Sequence, residues 1–339
     1  MSSSSGTVLL FGYIFFSLEL FTYGIVLAIA FLNLAVICPA KILHVNLKSI
    51  LITQTGAEML FVLVRSVMLV QKFTFDDPFA PSDVNLQSII ICDSLFRHWL
   101  GHVLIIERFL ATVRTNSYEK FSKFGFTLAW SSTTFIIAFL NTITNGESWT
   151  VTPFNLITQT ISTLLSLIEY LLIIIIGYYN RKKYSNQIAQ ATPKNYHIGH
   201  RYLVSDNVKT AKQLSPTFLC LFLSNLFINF LYSAIAFNMV TESYQISLTR
   251  AFGIWADAVF GAAIELTMMT HHPLLKRRMV THLKRIFCFK GNQIGDVTNS
   301  PAVQVIPSAA TQPPSSAVKS IDKRVGAMKE KFCGDGGGG

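Results

Sequence analysis

The chain is short of charge. Asp, Glu, Lys and Arg together make up 14% of its 339 residues, against roughly 25% in soluble domains. With 51% hydrophobic residues, it cannot present a polar surface to water on every side. Cysteine is scarce too: Cys38, Cys92, Cys220, Cys288 and Cys333, with no CxxC or other zinc spacing among them. Cys38, Cys92 and Cys220 fall in apolar stretches and read as small buried hydrophobes. No Asn-x-Ser/Thr sequon occurs anywhere. The opening MSSSSGTVLLFGYIFF has no basic region and no small-residue cleavage site, so the first apolar run is expected to be retained. No sequence repeat relates the two halves, which weakens a transporter built from inverted repeats. No nucleophile–base pair can be placed, so no enzymatic activity and no cofactor is expected.

What the chain does have is seven long apolar stretches. A bilayer core about 30 Å thick needs roughly 20 residues of helix at about 1.5 Å each. Spans are predicted near 12–38, 48–71, 86–112, 124–145, 154–179, 214–240 and 250–270. The segments between them alternate in charge. Lys41, His44 and Lys48 lie in the first; Arg114, Lys120 and Lys123 in the third; Arg181, Lys182, Lys183, Lys194, Arg201, Lys209 and Lys212 in the fifth. Lys276, Arg277, Arg278, Lys284, Arg285 and Lys290 follow the last span. Asp76, Asp77, Asp83, Glu147 and Glu242 fall on the other side. Lysine and arginine mark the cytoplasmic side of short loops. The expectation is an all-α membrane protein, a seven-transmembrane helix bundle with its N-terminus outside. The net charge of +10 then belongs beside anionic lipid, and no nucleic-acid motif accompanies it.

The bundle is assigned to residues 1–270. In 271–290, Leu275, Met279, Leu283, Ile286 and Phe287 recur at steps of three and four, with basic residues between them. This predicts an amphipathic juxtamembrane helix on the inner surface. Cys288 at its end is a palmitoylation candidate. Residues 291–339 are rich in Pro, Ser, Ala and Gly and are expected to form a disordered cytoplasmic tail.

Eight ionisable residues fall at membrane depth: Glu19, Glu58, Arg65, Asp93, Arg97, Glu169, Asp257 and Glu265. Such groups face a bundle interior rather than lipid. They form either a polar pocket and switch network or plain helix–helix hydrogen bonds. In the third span, Asp93 and Arg97 are four apart and can pair. His98 and His102 lie one turn apart on the opposite face, the spacing of two zinc ligands. No glutamate follows the first histidine and no third ligand is evident, so no metal is assigned.

At the inner end of the third span stands Ile106-Glu107-Arg108-Phe109-Leu110-Ala111-Thr112, followed by Tyr118-Glu119-Lys120. An acid–arginine pair at this place resembles the G-protein-coupled receptors. The run ERFLAT…YEK is similar to the nematode serpentine chemoreceptors of the Sra superfamily, class alpha/beta nearest and class e next. His44-Val45-Asn46-Leu47-Lys48 resembles that group's motif entering the second span. Arg201 to Lys209 resembles its basic motif leading to the sixth, and His272-Pro273 follows the seventh as in several members. Asp206 stands where class e has glutamate, and Asp83 stands where rhodopsin-like receptors carry a cysteine. CWxP and NPxxY motifs are missing.

The resemblance implies a chemosensory receptor that binds a small-molecule ligand on its outer half and activates a heterotrimeric G protein. It would sit in the plasma membrane as a multi-pass protein, with sensory cilia as a further expectation. Glu107 and Arg108 would form a resting-state lock, a two-state element released on activation. Arg108, Tyr118, Arg201, Lys209 and Lys212 would contact the G protein. His98, Trp99, Trp255 and Asp257 are chosen by depth as candidate pocket residues. A seven-span ligand-gated ion channel or a transporter is the alternative; the channel would require the opposite orientation. A membrane metal hydrolase is a more distant one.

Overall fold

The computed structural model describes residues 6–40, 43–75, 78–79, 83–113, 124–144, 153–189 and 198–286. Among them every regular element is a helix: α1 Gly6–Ile37, α2 Val45–Thr74, α3 Val84–Val113, α4 Phe124–Thr144, α5 Pro153–Ala189, α6 Ile198–Ala236, α7 Ser243–His271 and α8 Pro273–Ile286. Seven of them are long and apolar enough to cross a membrane. With no water in hydrocarbon to satisfy peptide groups, a spanning segment must close its hydrogen bonds within itself, which a helix does.

The division of each helix into two faces follows from the 3.6-residue period. In α1 the buried positions Gly12, Phe16, Glu19, Tyr23, Val26, Ala30 and Asn33 advance by three or four. Leu10, Phe11, Ile14, Leu18, Phe21 and Ile25 cover the other face and are exposed. Around a membrane bundle both faces are apolar, and the interior one carries the polar groups. The seven spans form a closed array: each packs on its neighbour in the chain except α4 on α5, and α7 returns to α1 and α2. α3 is the central helix, packed against α2, α4, α5 and α6.

The apolar core has two parts. One lies toward the face where α1 begins and joins Phe16, Tyr23, Phe61, Met68, Leu69 and Ala258 from α1, α2 and α7. The other lies toward the opposite face and joins Val36, Ile50, Leu104, Ile173, Phe218 and Met269. Leu275 of α8 belongs to this second cluster and fastens α8 beneath the bundle.

The junction between α7 and α8 has a local cause. Proline disfavours helical backbone in the residue before it, and His272 is extended, with φ −97° and ψ 117°. Pro273 then occupies the first position of α8, where its missing N–H costs nothing. The His272 carbonyl accepts from the Lys276 N–H at 2.8 Å, and its Nδ1 receives the Leu275 N–H at 3.4 Å. His272 therefore caps the new helix.

Two helices exceed their predicted spans by the widest margin. α5 runs on to Ala189 and α6 begins at Ile198, beyond the predicted 154–179 and 214–240. Hydrophobic length measures the bilayer, whereas backbone hydrogen bonding continues past its surface. Cys38 departs from its expected burial: α1 ends at Ile37 and the thiol is exposed in the turn. Cys92 is buried and Cys220 half-buried, and the three are free thiols. α8 at 273–286 falls inside the predicted 271–290 segment. The predicted tail, 291–339, and Cys288 lie outside the described residues.

Candidate functional site

All eight ionisable residues read at membrane depth are buried, none more than 7% exposed. Four of the acids pair with the two arginines. Arg65 of α2 gives Nε to Glu19 of α1 at 2.8 Å, and the Tyr23 hydroxyl donates to the same carboxylate at 2.6 Å. Arg97 of α3 is the larger hub. Its guanidinium reaches Glu58 of α2, Asp257 of α7 and, at 3.5 Å, Asp93 one turn earlier on its own helix. It lies over the Phe61 ring, 4.1 Å from the centroid, a cation–π contact. One planar cation thus ties three helices together. The Glu58 carboxyl lies so close to Gly261 of α7 that a side chain there would strike it.

Above this hub, at the face where α1 begins, is a cavity of about 180 Å³. Its walls come from the first turns of α3, α5 and α7 and the last turns of α4 and α6. Ser88, Ile90, Ile91, Ser94, Leu95 and His98 supply one wall, and Asn141 and Thr142 another. Thr158 and Gln159 of α5 and Ile228, Leu231, Tyr232 and Ile235 of α6 close the far side. Thr249, Arg250, Gly253, Ile254 and Asp257 line it from α7, and Phe61 reaches in from α2. A concave, mainly apolar site with a few convergent polar groups is the usual form of a small-molecule pocket.

Asp257 belongs to both cavity and hub. Besides Arg97 it accepts from the Ser94 hydroxyl at 2.9 Å and the Ser224 hydroxyl at 3.4 Å. His98 Nε2 stands 3.7 Å from its second oxygen. His98 Nδ1 lies 2.8 Å from the Ser94 carbonyl, which can only accept, so Nδ1 is the donor.

Of the four candidate pocket residues, His98 and Asp257 line the cavity, while Trp99 and Trp255 are not among its lining residues. Trp99 stands edge-on to His102, ring centroids 4.9 Å apart. His102 pairs with Glu169 of α5. Trp255 stacks on Phe252 at 5.5 Å. Depth alone placed these tryptophans near the pocket, but the helical phase turns both rings elsewhere. Arg250 and Tyr232 went unremarked in the sequence. Arg250 lies seven residues from Asp257, two turns along one helix face, and that spacing was available as a signal.

At the opposite end of α3, Arg108 donates through Nε and Nη2 to both Glu107 oxygens. Both residues are buried, 5% and 1% exposed. Around them Asn180 of α5 donates to Thr112 at 3.1 Å, and Asn207 of α6 donates to the Ala111 carbonyl at 3.1 Å. Lys209 and Lys212 are exposed on α6 near this end. Arg201 lies in α6, its side chain outside the described residues, as is Tyr118 altogether. Among the described residues no group of three His, Cys, Asp or Glu side chains is placed to hold a metal ion.

The chain is thus a multi-pass membrane bundle with a cavity at one face and a buried acid–arginine pair toward the other. No curated protein matches it. The family description "Sre G protein-coupled chemoreceptor" matches residues 84–312, from the start of α3 past the end of α8. The motifs rank class alpha/beta first and class e next, whereas the match is to Sre. Since it spans more than half of the sequence, the chain belongs to the Sre family of G protein-coupled chemoreceptors.

Proposed function

We propose that this chemoreceptor binds a small molecule in the cavity between α3 and α7 and passes the event to a heterotrimeric G protein at the other face. The N-terminus and cavity lie outside the cell, and α8 lies on the inner leaflet. The observation that carries this is the run of α3: its first turns line the cavity, its middle carries Arg97, and its last turns carry Glu107 and Arg108. A ligand touching Asp257 or His98 changes what Arg97 holds. It favours whichever arrangement of α2, α3 and α7 it binds better. Glu107 restrains Arg108 at rest, and release exposes a cation to the partner. Arg108, Tyr118, Arg201, Lys209 and Lys212 border that partner's cavity, and acylation of Cys288 would add a second membrane anchor to α8. Placement within the Sra superfamily, residence in the plasma membrane and its ciliary part, and coupling to a G protein rest on the motifs and the family together.

Two variants separate the halves of this proposal. Gly253 sits on the cavity wall, where a Cβ would already meet Leu231 at 3.3 Å. Gly253→Phe should fill the cavity, remove responses to a panel of odorants and leave basal G-protein activation intact. Arg108→Ala should remove both at normal surface level. Odorant responses surviving in Gly253→Phe would displace the ligand site, and signalling by Arg108→Ala would displace the lock.

A further inference from the structure

The cavity is charged at two depths. Asp257 stands at the deep end, Arg250 at the shallow end, seven residues earlier on α7. At about 1.5 Å per residue they are roughly 10 Å apart along the helix axis. Asp257 already receives the Arg97 guanidinium and the hydroxyls of Ser94 and Ser224. A ligand amine would have to displace these donors, and it would bring a second cation beside Arg97. Arg250 is half-buried and is the one Lys or Arg among the lining residues, with the Tyr232 hydroxyl on the same wall from α6. A guanidinium offers donors only. A carboxylate meets it with two parallel charge-assisted bonds. Ile90, Leu95, Leu231 and Ile254 give the wall its apolar part, beside the polar side chains of Asn141, Thr142, Thr158 and Gln159.

From this we infer that the receptor's ligands are small monocarboxylates: an aliphatic or aromatic body lying on the apolar wall, with its carboxylate at Arg250 and Tyr232. A cavity of 150 Å³ holds one benzene ring, so about 180 Å³ admits a ring or short chain and one polar head. The assignment rests on the cavity being the ligand site.

The test uses the full chain in lipid nanodiscs and follows thermal unfolding against ligand concentration, because a ligand that binds the folded state raises its melting temperature. Benzoate, benzamide and benzylamine are compared at matched concentrations, and hexanoate with hexanamide. The carboxylates should bind the wild type about tenfold or more tightly than their amides, the scale of a hydrogen bond to a charged group. Arg250→Gln should remove that preference, and Arg250→Lys, which keeps charge without the fork, should retain part of it. If Arg250→Gln fails to fold, Tyr232→Phe should weaken carboxylate binding and leave amide binding unchanged. A wild type that prefers benzylamine or the amides overturns the anion assignment and leaves the cavity as the ligand site. A carboxylate preference that survives Arg250→Gln overturns the placement of the carboxylate at Arg250. No saturable shift with any probe overturns both.

Discussion

Arg97 is where the interior charges of three helices meet. It contacts Glu58, Asp93 and Asp257, is 4% exposed, and covers Phe61 of the cavity wall. Removing one member of a buried ion pair strands its partners without a counter-charge. Arg97→Met should therefore cost about 3–5 kcal/mol. Gly261→Ala acts on the same site by steric means alone, since its methyl group would occupy the space of the Glu58 carboxyl. Overpacking of this kind costs about 1–3 kcal/mol. Unfolding of the three proteins in one lipid composition should rank them wild type, Gly261→Ala, Arg97→Met; a Gly261→Ala protein as stable as wild type would show that Glu58 does not need its place. The presence of these charges was readable from the sequence, and so was the i, i+4 spacing of Asp93 and Arg97. That Glu58 and Asp257 complete the hub was not. Each lies on another helix, and only the rotation of that helix decides which way its carboxyl points.

The α5–α6 pair forms the most extensive helix contact in the bundle, and its seam is polar. Asn225 of α6 is 3% exposed and stands at its centre. Its side-chain oxygen accepts from Ser162 at 3.4 Å, and its carbonyl accepts from Thr163 at 3.2 Å and Gln159 at 3.4 Å. Thr160 reaches Asn229 at 3.3 Å one turn further along α6. In lipid, helices gain no hydrophobic drive from meeting, so small polar groups help to hold them. These bonds are long, and an interhelical hydrogen bond in a membrane contributes only about 0.6 kcal/mol on average. Asn225→Leu should accordingly lower stability by about 1 kcal/mol and no more. A loss of several kcal/mol would mean that the seam governs the fold. Pro216 lies inside α6 and leaves the Lys212 carbonyl without its helical donor, a place where the helix can bend.

For the whole molecule, the decisive quantity is orientation. The ends of α1, α3, α5 and α7 that lead into basic segments of the sequence fall on one face of the bundle, and the cavity lies toward the other. Staining an epitope at each terminus in intact and then permeabilised cells should find the N-terminus outside and the C-terminus inside. The reverse would put the cavity in the cytoplasm and make the ion-channel alternative the one to pursue.

Seven spans, the alternation of their flanking charge, the basic surface helix and the acid–arginine pair all follow from composition and order along the chain. These are one-dimensional properties: the length of an apolar run, the sign of a loop, the period of a helix face. The cavity and its two charged ends are not of that kind. Arg250, Tyr232, His98 and Gln159 come from four helices, and their convergence depends on how each helix is rotated and tilted against its neighbours. Packing sets those angles through contacts between residues far apart in sequence, so tertiary structure alone decides what a ligand would touch.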